Sequence, residues 1–126
     1  GNLIDAATIG AISALKNAVL PGIDKDGRVD YKHRTKNALP LSKETTPLSI
    51  SFYKLGDAIL LDPTREEQEA CDVRITLGVS KWNGQYMLNS CQKSGEDPFT
   101  QDELLKIMEV IPQKYEELNE KLKKFL

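Results

Sequence analysis

The stretch richest in carboxylates runs from Asp62 to Glu69, in the order Asp-Pro-Thr-Arg-Glu-Glu-Gln-Glu. Carboxylate oxygens that converge from one side suit Mg²⁺, and paired carboxyl groups suit general acid–base chemistry. The same residue types are typical of a helix start. Asp62 is placed to cap a helix with Pro63 at its first position, and Thr64 with Glu67 is an alternative capping box. Spacing alone favours the helix start over a metal or acid–base site.

Residues for other kinds of site are sparse. His33 is the only histidine, so a zinc site or catalytic triad has no second imidazole to use. It lies in a basic run with Lys32, Arg34 and Lys36. With the neighbouring Tyr31 ring, these cations are candidates for RNA contact, and a solvated surface loop is the alternative. We find no glycine-rich phosphate loop or nucleophile elbow, and we expect neither a metal nor a cofactor.

The overall charge argues against a freestanding nucleic-acid-binding domain. The chain has 17 Lys and Arg against 19 Asp and Glu, a net charge of −2. A module that holds RNA mainly through its phosphates is expected to be basic. Any RNA contact must therefore be local or shared with a partner.

The cysteines and the apolar runs indicate a cellular setting. Cys71 and Cys91 have no metal-type spacing, and we expect two buried reduced thiols rather than a disulfide. No apolar run reaches the ~20 residues that span a bilayer. We therefore expect a cytoplasmic protein with no membrane partner.

The elements that must position these residues begin with a helix. Residues 2–20 carry apolar side chains at three- and four-residue spacing, with Asn2 as a cap and Pro21 after the end. The broad apolar face of this helix must pack against another element, and no neighbouring segment of the sequence is predicted to do so. Residues 21–47 are polar and rich in Pro, Gly, Asp and Lys. We interpret them as a connector with one short strand around Val29–Tyr31.

From residue 48 the pattern predicts two hairpins. Apolar and polar residues alternate over 48–53 and over 73–80, which is typical of strands with one buried face. The second hairpin turns at Asn83-Gly84, because both residues tolerate the positive φ angles of a type I′ turn. Trp82 beside the turn either packs over the hairpin end or, if exposed, marks a protein interface. The expected return strands are residues 58–61 and 85–92.

A helix follows each hairpin. The first runs from Asp62 to about Cys71. The second starts at a Thr100/Glu103 capping box, and Pro112 is expected to kink or split it. The order of elements predicts an α+β fold: a four-stranded antiparallel sheet of ββαββα topology with helices on one face, preceded by one further helix.

Four segments together resemble the RNase PH family. Residues 2–7 (Asn-Leu-Ile-Asp-Ala-Ala) are similar to the helix that closes the family's first domain. Residues 56–67 (Gly-Asp-Ala-Ile-Leu-Leu-Asp-Pro-Thr-x-x-Glu) resemble the start of its second domain, and residues 72–76 and 92–95 resemble the hairpin that follows. The resemblance implies that residues 1–20 are the last helix of a first domain, 21–47 an interdomain connector and 48–126 the second domain, the C-terminal domain of the family.

The resemblance also gives the acidic stretch a meaning. Active members carry an aspartate after the second strand of this domain and another six positions on, near the phosphate and metal at the cleavage point. Asp62 matches the first, but Gln68 occupies the second, and a neutral amide cannot replace a carboxylate as acid or cation ligand. Glu67 and Glu69 are possible substitutes, although one residue along a helix turns a side chain by about 100°. The family's phosphate-binding residues lie in its first domain.

The missing carboxylate makes the chain resemble the non-catalytic subunits of archaeal exosomes. Such a subunit completes a hexameric ring with a catalytic RNase PH-type paralogue, works with RNA-binding cap subunits and helps to position RNA for 3′→5′ degradation and processing. Two alternatives stay open. One is a catalytic phosphorolytic 3′→5′ exoribonuclease that uses Asp62 with Glu67 or Glu69. The other is an independent α+β interaction module unrelated to RNA.

Overall fold

The computed structural model describes residues 1–42 and 45–125. Its elements, in chain order, are α1 (Leu3–Asn17), β1 (Val19–Ile23), β2 (Val29–Ala38), β3 (Leu48–Leu55), β4 (Ala58–Leu61), α2 (Arg65–Ala70), β5 (Val73–Trp82), β6 (Gln85–Gly95) and α3 (Gln101–Leu122). Lys43 and Glu44 of the expected connector, and Leu126 at the end of the expected second domain, lie outside the described residues.

The elements from β3 onward confirm the predicted α+β fold. β4, β3, β5 and β6 form a four-stranded antiparallel sheet in that spatial order. β4 has the predicted bounds, whereas β6 continues to Gly95, beyond the predicted end at residue 92. Asn83 and Gly84 have φ angles of 48° and 78°, the positive values that the predicted turn requires.

The core lies between the sheet and α3, and Ile12 of α1 also belongs to it. Alternate residues of the two central strands point to one face and are buried: Leu48, Ile50, Phe52, Ile75, Leu77 and Val79. Ile107, Ile111 and Tyr115, which follow one another around α3 at four-residue spacing, pack against this face. Full burial of such a side chain contributes about 1.5–3 kcal/mol, so this layer dominates the stability of the chain.

α3 is one helix that passes through Pro112. Both halves of the predicted capping box are present: Thr100 Oγ1 accepts the N–H of Glu103, and Glu103 Oε2 accepts the N–H of Thr100. The helix is not split at Pro112 and continues to Leu122. The buried Ile111 and Tyr115 hold the chain on both sides of the proline, so burial outweighs the lost hydrogen bond.

The region before the sheet departs from the prediction. α1 ends at Asn17 rather than at residue 20, and Pro21 lies inside β1 instead of following a helix. The predicted connector holds more than a short strand, because β1 pairs with the ten-residue β2 in an antiparallel sheet of their own. Val19 and Leu20 fit a helical repeat as well as a strand. Pairing with β2 makes this segment a strand. The local spacing of apolar residues gives no sign of that pairing.

The cysteines are only partly as predicted. Both are free thiols, but Cys91 is exposed, because β6 is an edge strand, and Cys71 is half-buried. Burial raises the pKa of the Cys71 thiol, and the charges of Asp72 and Glu67 act in the same direction. Within the described part of the chain, no helix combines the length and hydrophobicity needed to cross a membrane.

Candidate functional site

The start of α2 is set by Thr64, so the prediction that Asp62 caps this helix is wrong. Thr64 Oγ1 accepts the N–H of Glu67 at 3.3 Å, and Glu67 Oε2 accepts the N–H of Thr64 at 2.8 Å. This is the alternative capping box. Asp62 precedes it with a left-handed φ of 50°, a conformation that aspartate tolerates better than most residues. The bend leaves the Asp62 carboxylate free to reach α1.

Asn2, just before α1, brings the predicted site residues together. Its φ is also left-handed, at 55°, and its side chain makes no capping bond to its own helix. Instead, Nδ2 donates to Asp62 Oδ1 at 3.3 Å and to Asp5 Oδ2 at 3.0 Å. The backbone N–H of Asn2 donates to Gln68 Oε1 at 2.8 Å. Asp62 and Gln68 therefore meet at one residue that is more than fifty positions away in the sequence.

Gln68 serves as a hydrogen-bond acceptor between three elements. Besides the Asn2 N–H, its Oε1 accepts the hydroxyl of Tyr53 at 3.4 Å, and Tyr53 is buried in β3. These bonds hold α2 to the start of α1 and to the sheet. An uncharged amide makes both bonds without the charge that attracts a cation. Gln68 thus links α2 to the residue before α1 and to β3.

The neighbouring carboxylates that were candidate substitutes for the missing aspartate are already engaged. Glu67 closes the capping box, and Glu69 Oε1 lies 2.8 Å from Arg65 Nε in an exposed ion pair. The structure joins neither of them to Asp62 or Asn2 by a hydrogen bond. Across the described residues, no three or more His, Cys, Asp and Glu side chains form a group that could hold a metal ion.

Asp5 is a site residue that the sequence analysis missed. The residue is only 9% exposed; its Oδ2 accepts the backbone N–H of Ser51 at 2.9 Å, and its Oδ1 accepts the Ser51 hydroxyl at 2.7 Å. The Ser51 hydroxyl also lies 2.8 Å from Thr76 Oγ1. Ser51 comes just before Phe52, where pairing with β4 stops, so Asp5 satisfies a buried donor that the sheet leaves open. The available signal was an aspartate within an otherwise apolar, alanine-rich helix start.

A groove of about 500 Å³ runs beside this network, between α1 and α3. Its apolar lining includes Ile9, Ile50 and Leu118, whereas Asp62 and Lys121 make its rim charged with both signs. Asn2 also lines the groove, and its Oδ1 atom is buried without a hydrogen-bond partner among the described residues.

The predicted RNA-contact residues lie elsewhere. Lys32, Arg34 and Lys36 are exposed on β2, so the basic run is a strand rather than a loop. His33 Nδ1 lies 2.7 Å from Asp30 Oδ2, and this hydrogen bond, helped by the backbone N–H of Lys32, lowers the pKa of Asp30. None of the hydrogen bonds of the α1–α2 network involves this hairpin. The structure therefore shows two separate candidate surfaces.

Comparison with known proteins identifies the family. The model of domain 2 of the 3′ exoribonuclease family, the C-terminal RNase PH domain, matches residues 45–110. The chain belongs to this family. The membership confirms the resemblance found in the sequence, and the matched segment holds β3 to β6, Asp62 and Gln68.

Among similar proteins, exosome complex component Rrp42 of Methanothermobacter thermautotrophicus is 34% identical over 125 residues, 98% of this chain and 44% of that protein. Rrp42 of Thermoplasma acidophilum is 37% identical over 121 residues, 96% of this chain and 42% of that protein. A solved structure of the Archaeoglobus fulgidus exosome with RNA bound to the active site matches with a TM-score of 0.77 and 30% identity, covering 98% of this chain and 44% of the matched one. The chain thus spans less than half the length of these relatives.

Proposed function

We propose that this chain is part of a non-catalytic RNase PH-type subunit of an archaeal exosome. The subunit completes a hexameric ring with an active paralogue and helps to position RNA for 3′→5′ degradation and processing. The observation that carries the proposal is the state of Gln68. Its amide stands six positions after Asp62 and is fastened to Asn2 and Tyr53, so it neither transfers a proton nor holds a cation. The relatives named exosome complex component Rrp42 support the assembly.

In the proposed organisation, residues 1–20 close a first domain, 21–47 connect and 48–126 form the second domain. In this arrangement the bonds from Asp5 to Ser51 hold α1 against the second domain through buried partners. The proposed partners are the catalytic paralogue, RNA-binding cap subunits and RNA, in the cytoplasm.

A local RNA contact on β2 fits the same proposal. Lys32, Arg34 and Lys36 are exposed cations in a chain of net negative charge, and Tyr31 beside them is 89% exposed. Cations track phosphates and an open aromatic ring stacks on a base. We assign this hairpin a supporting contact rather than the main RNA site, since the rest of the chain is acidic.

The main alternative is a catalytic subunit that uses Asp62 with Glu67 or Glu69. The left-handed Asp62 favours it, because strained residues cluster at functional sites. Both glutamates, however, would have to leave their present partners Thr64 and Arg65 before they could act. The engaged carboxylates therefore favour the non-catalytic assignment.

The test uses the full-length protein reconstituted with its catalytic paralogue, and measures phosphate-dependent shortening of RNA. Asp62→Asn and Glu67→Gln in this subunit are expected to leave turnover unchanged, and Glu67→Gln keeps the capping box. A ring whose paralogue has lost its own catalytic carboxylate is expected to be inactive. Residual phosphorolysis in that ring, abolished by adding Asp62→Asn, would establish the catalytic alternative. A full-length protein that stays monomeric beside the paralogue would instead favour the independent module.

A further inference from the structure

Strand β2 contains a bulge that begins at Tyr31. Pro21 of β1 pairs with Arg34, and the next residue of β1, Gly22, pairs with Asp30. The three residues between Asp30 and Arg34 therefore have no partner on β1, which is the geometry of a large β-bulge. Tyr31 is the first of the three and is 89% exposed. An aromatic ring this open is available to a ligand.

Asp30 and Gly22 fix the shape of the bulge. Asp30 Oδ1 accepts the N–H of Lys32 at 2.9 Å, and Asp30 Oδ2 lies 2.7 Å from Nδ1 of His33. A Cβ on Gly22 would lie 2.8 Å from the carbonyl oxygen of His33, so the absence of a side chain lets the bulge come this close to β1. Tyr31 stands between these fixed points, and a ring that is already positioned loses less freedom when it binds.

Tyr31 and Arg34 line an open cavity of about 370 Å³, the Tyr31 cavity, between the bulge, β1 and the end of α1. Its other lining residues are Asn17, Ala18, Val19, Pro21 and Asp30. Volumes of roughly 300–1,000 Å³ are typical of small-ligand sites. A nucleotide has a group for each of the two main side chains, because its base stacks on an aromatic ring and its phosphate accepts two hydrogen bonds from a guanidinium.

The competing occupant is the part of the longer protein outside this chain, since the chain spans less than half the length of its relatives. The local charge favours RNA instead. Residues 31–36 carry three cations and no carboxylate, a charge of +3, so that within a net charge of −2 the rest of the chain is at −5. Surfaces covered by another protein are depleted in lysine, whereas cations grouped beside an aromatic ring suit a polyanion with stacking bases.

Exposure at the hairpin points the same way. The His33 side chain is 81% exposed, and a protein cover would take its pair with Asp30 out of water at a cost in free energy. The exposed apolar side chains of Ile23 and Val29, at the turn end of the hairpin, offer a protein a better contact. Neither of them lines the Tyr31 cavity. The cavity itself therefore fits a nucleotide better than it fits a protein.

We propose that the Tyr31 cavity binds one unpaired nucleotide of the RNA, with the base stacked on Tyr31 and the phosphate held by Arg34. Asp30 is a positioning residue, because it holds the bulge that presents the tyrosine ring. The proposal rests on the proposed function and deepens it by naming the class of RNA. The hairpin selects single strands, since the bases of a duplex stack on one another and leave no free face for Tyr31.

The test uses the full-length protein assembled with its paralogue, without phosphate so that the RNA stays intact. Fluorescence anisotropy measures affinity for a single-stranded oligouridylate and for its duplex with oligoadenylate. Tyr31→Ala is expected to weaken binding of the single strand about fivefold or more, the lower end for one base–aromatic stack, and to leave duplex binding unchanged. Tyr31→Phe keeps the aromatic ring and is expected to bind like the wild-type protein.

The salt dependence separates stacking from phosphate binding. Arg34→Ala is expected to lower the affinity for the single strand and to reduce the slope of its logarithm against the logarithm of salt concentration by about 0.7, because one phosphate contact is lost. Tyr31→Ala is expected to keep the wild-type slope, since a stacked ring releases no counterion. A reduced slope for Tyr31→Ala would contradict the stacking role.

Asp30→Ala tests the positioning role through the sign of its effect. Removing a carboxylate near RNA strengthens binding if charge alone acts, whereas loosening the bulge weakens it. We expect weaker binding of the single strand. The matched control is Asp26→Ala, which removes an exposed carboxylate of the β1–β2 turn that does not line the cavity, and it is expected to bind at least as tightly as the wild-type protein. Tighter binding by Asp30→Ala would overturn the positioning role.

A direct contact is tested by photocrosslinking from 5-iodouridine in the RNA, both in the assembly and with the full-length protein alone. Mass spectrometry is expected to locate the crosslink on Tyr31. If the protein does not assemble with the paralogue, the proposed function fails, and the crosslink on the protein alone still tests the cavity. If it assembles and binds RNA, but Tyr31→Ala binds equally well and no crosslink forms, only the nucleotide site fails. A lower melting temperature of full-length Tyr31→Ala would show that another part of the protein packs on this ring, and would overturn the choice of RNA.

Discussion

Two strands of similar length show how differently the β1–β2 hairpin and the four-stranded sheet are stabilised. In β3 (Leu48–Leu55) only the last residue is exposed, whereas in β2 (Val29–Ala38) no residue is buried. Both strands are paired by backbone hydrogen bonds. Pairing alone therefore makes a strand, but only β3 adds side chains to a core. Because an isolated two-stranded hairpin is at best marginally stable, β1 and β2 contribute little to holding the chain together.

The difference also separates the tasks of the two regions. Hydrogen bonds with one another, with Asp5 of α1 and with Tyr53 of the sheet hold Asp62, Gln68 and Asn2 in place, so changes there act through stability. The hairpin leaves Tyr31 and the cations beside it in solvent, so changes there act through whatever the hairpin binds. Variants matched between the two regions test this division, and the expected loss of stability falls from one prediction to the next.

Phe52→Ala is expected to destabilise the chain most, by about 3–5 kcal/mol, because it leaves a cavity beneath a side chain that is 1% exposed. Urea unfolding followed by circular dichroism measures the change. Tyr31→Ala removes an aromatic ring of similar size from the hairpin, and is expected to change stability by less than about 0.5 kcal/mol. Equal losses for the two variants would show that the hairpin belongs to the core.

Asp5→Ala is expected to cost about 2–3 kcal/mol, because it leaves the buried Ser51 N–H and hydroxyl without the acceptor they share. The same unfolding measurement applies. Asp26→Ala, which removes an exposed carboxylate from the β1–β2 turn, is the control and is expected to be nearly neutral. A loss for Asp5→Ala no larger than that of its control would mean that α1 is not held by this network.

Glu103→Gln is expected to make the stability of the folded chain depend less on pH between pH 7 and pH 3. Glu103 Oε1 lies 2.9 Å from Lys54 Nζ, and that hydrogen bond, followed by the one from the Thr100 N–H, lowers the pKa of Glu103. With a lowered folded-state pKa, the stabilisation is complete above the ordinary glutamate value of 4.5 and is lost as pH falls through the folded-state pKa. Melting temperatures from pH 7 down to pH 3 measure the effect.

The glutamine keeps the capping box while removing the charge, so the variant isolates the ion pair. The control is Glu69→Gln, since the Arg65–Glu69 pair is mostly exposed and is expected to matter little. Parallel profiles for the wild-type chain and Glu103→Gln would show that the Lys54 pair does not set the acid dependence.

Replacing the three hairpin cations by alanine (Lys32→Ala, Arg34→Ala, Lys36→Ala) is expected to have the smallest effect on stability, within about 0.5 kcal/mol per residue. Its effect should appear in RNA binding by the reconstituted ring, as lower affinity and a weaker dependence on salt. The control removes the same charge from the other basic cluster: Lys121→Ala, Lys123→Ala, Lys124→Ala. If the hairpin variant binds RNA as tightly as the wild-type protein does, the hairpin does not contact RNA.

Much of the fold was predictable, because the relevant signals are local. The strands β3 and β5, the Asn83-Gly84 turn and the Thr100 capping box each depend on signals within a few residues, and the structure confirms all three. The prediction that these strands bury only one face is wrong, because the alternate residues Ser51, Tyr53, Thr76 and Ser80 are buried as well. The β1–β2 sheet was missed, because its strands lack a buried face and hence lack alternation. The exposed Cys91 was missed for a related reason: only the strand order shows that β6 is an edge.

For the candidate site, the sequence by itself determined that Gln68 stands where a resemblance to the RNase PH family leads one to expect a carboxylate. It also supplied two candidate caps for α2, Asp62 and Thr64, which spacing could not separate. The tertiary structure decided for Thr64 and turned Asp62 toward Asn2. It also gave Gln68 its partners and Asp5 its buried place against Ser51. These contacts join residues far apart in the chain, and packing of α1 beside β3 creates them, so no local pattern could have shown them.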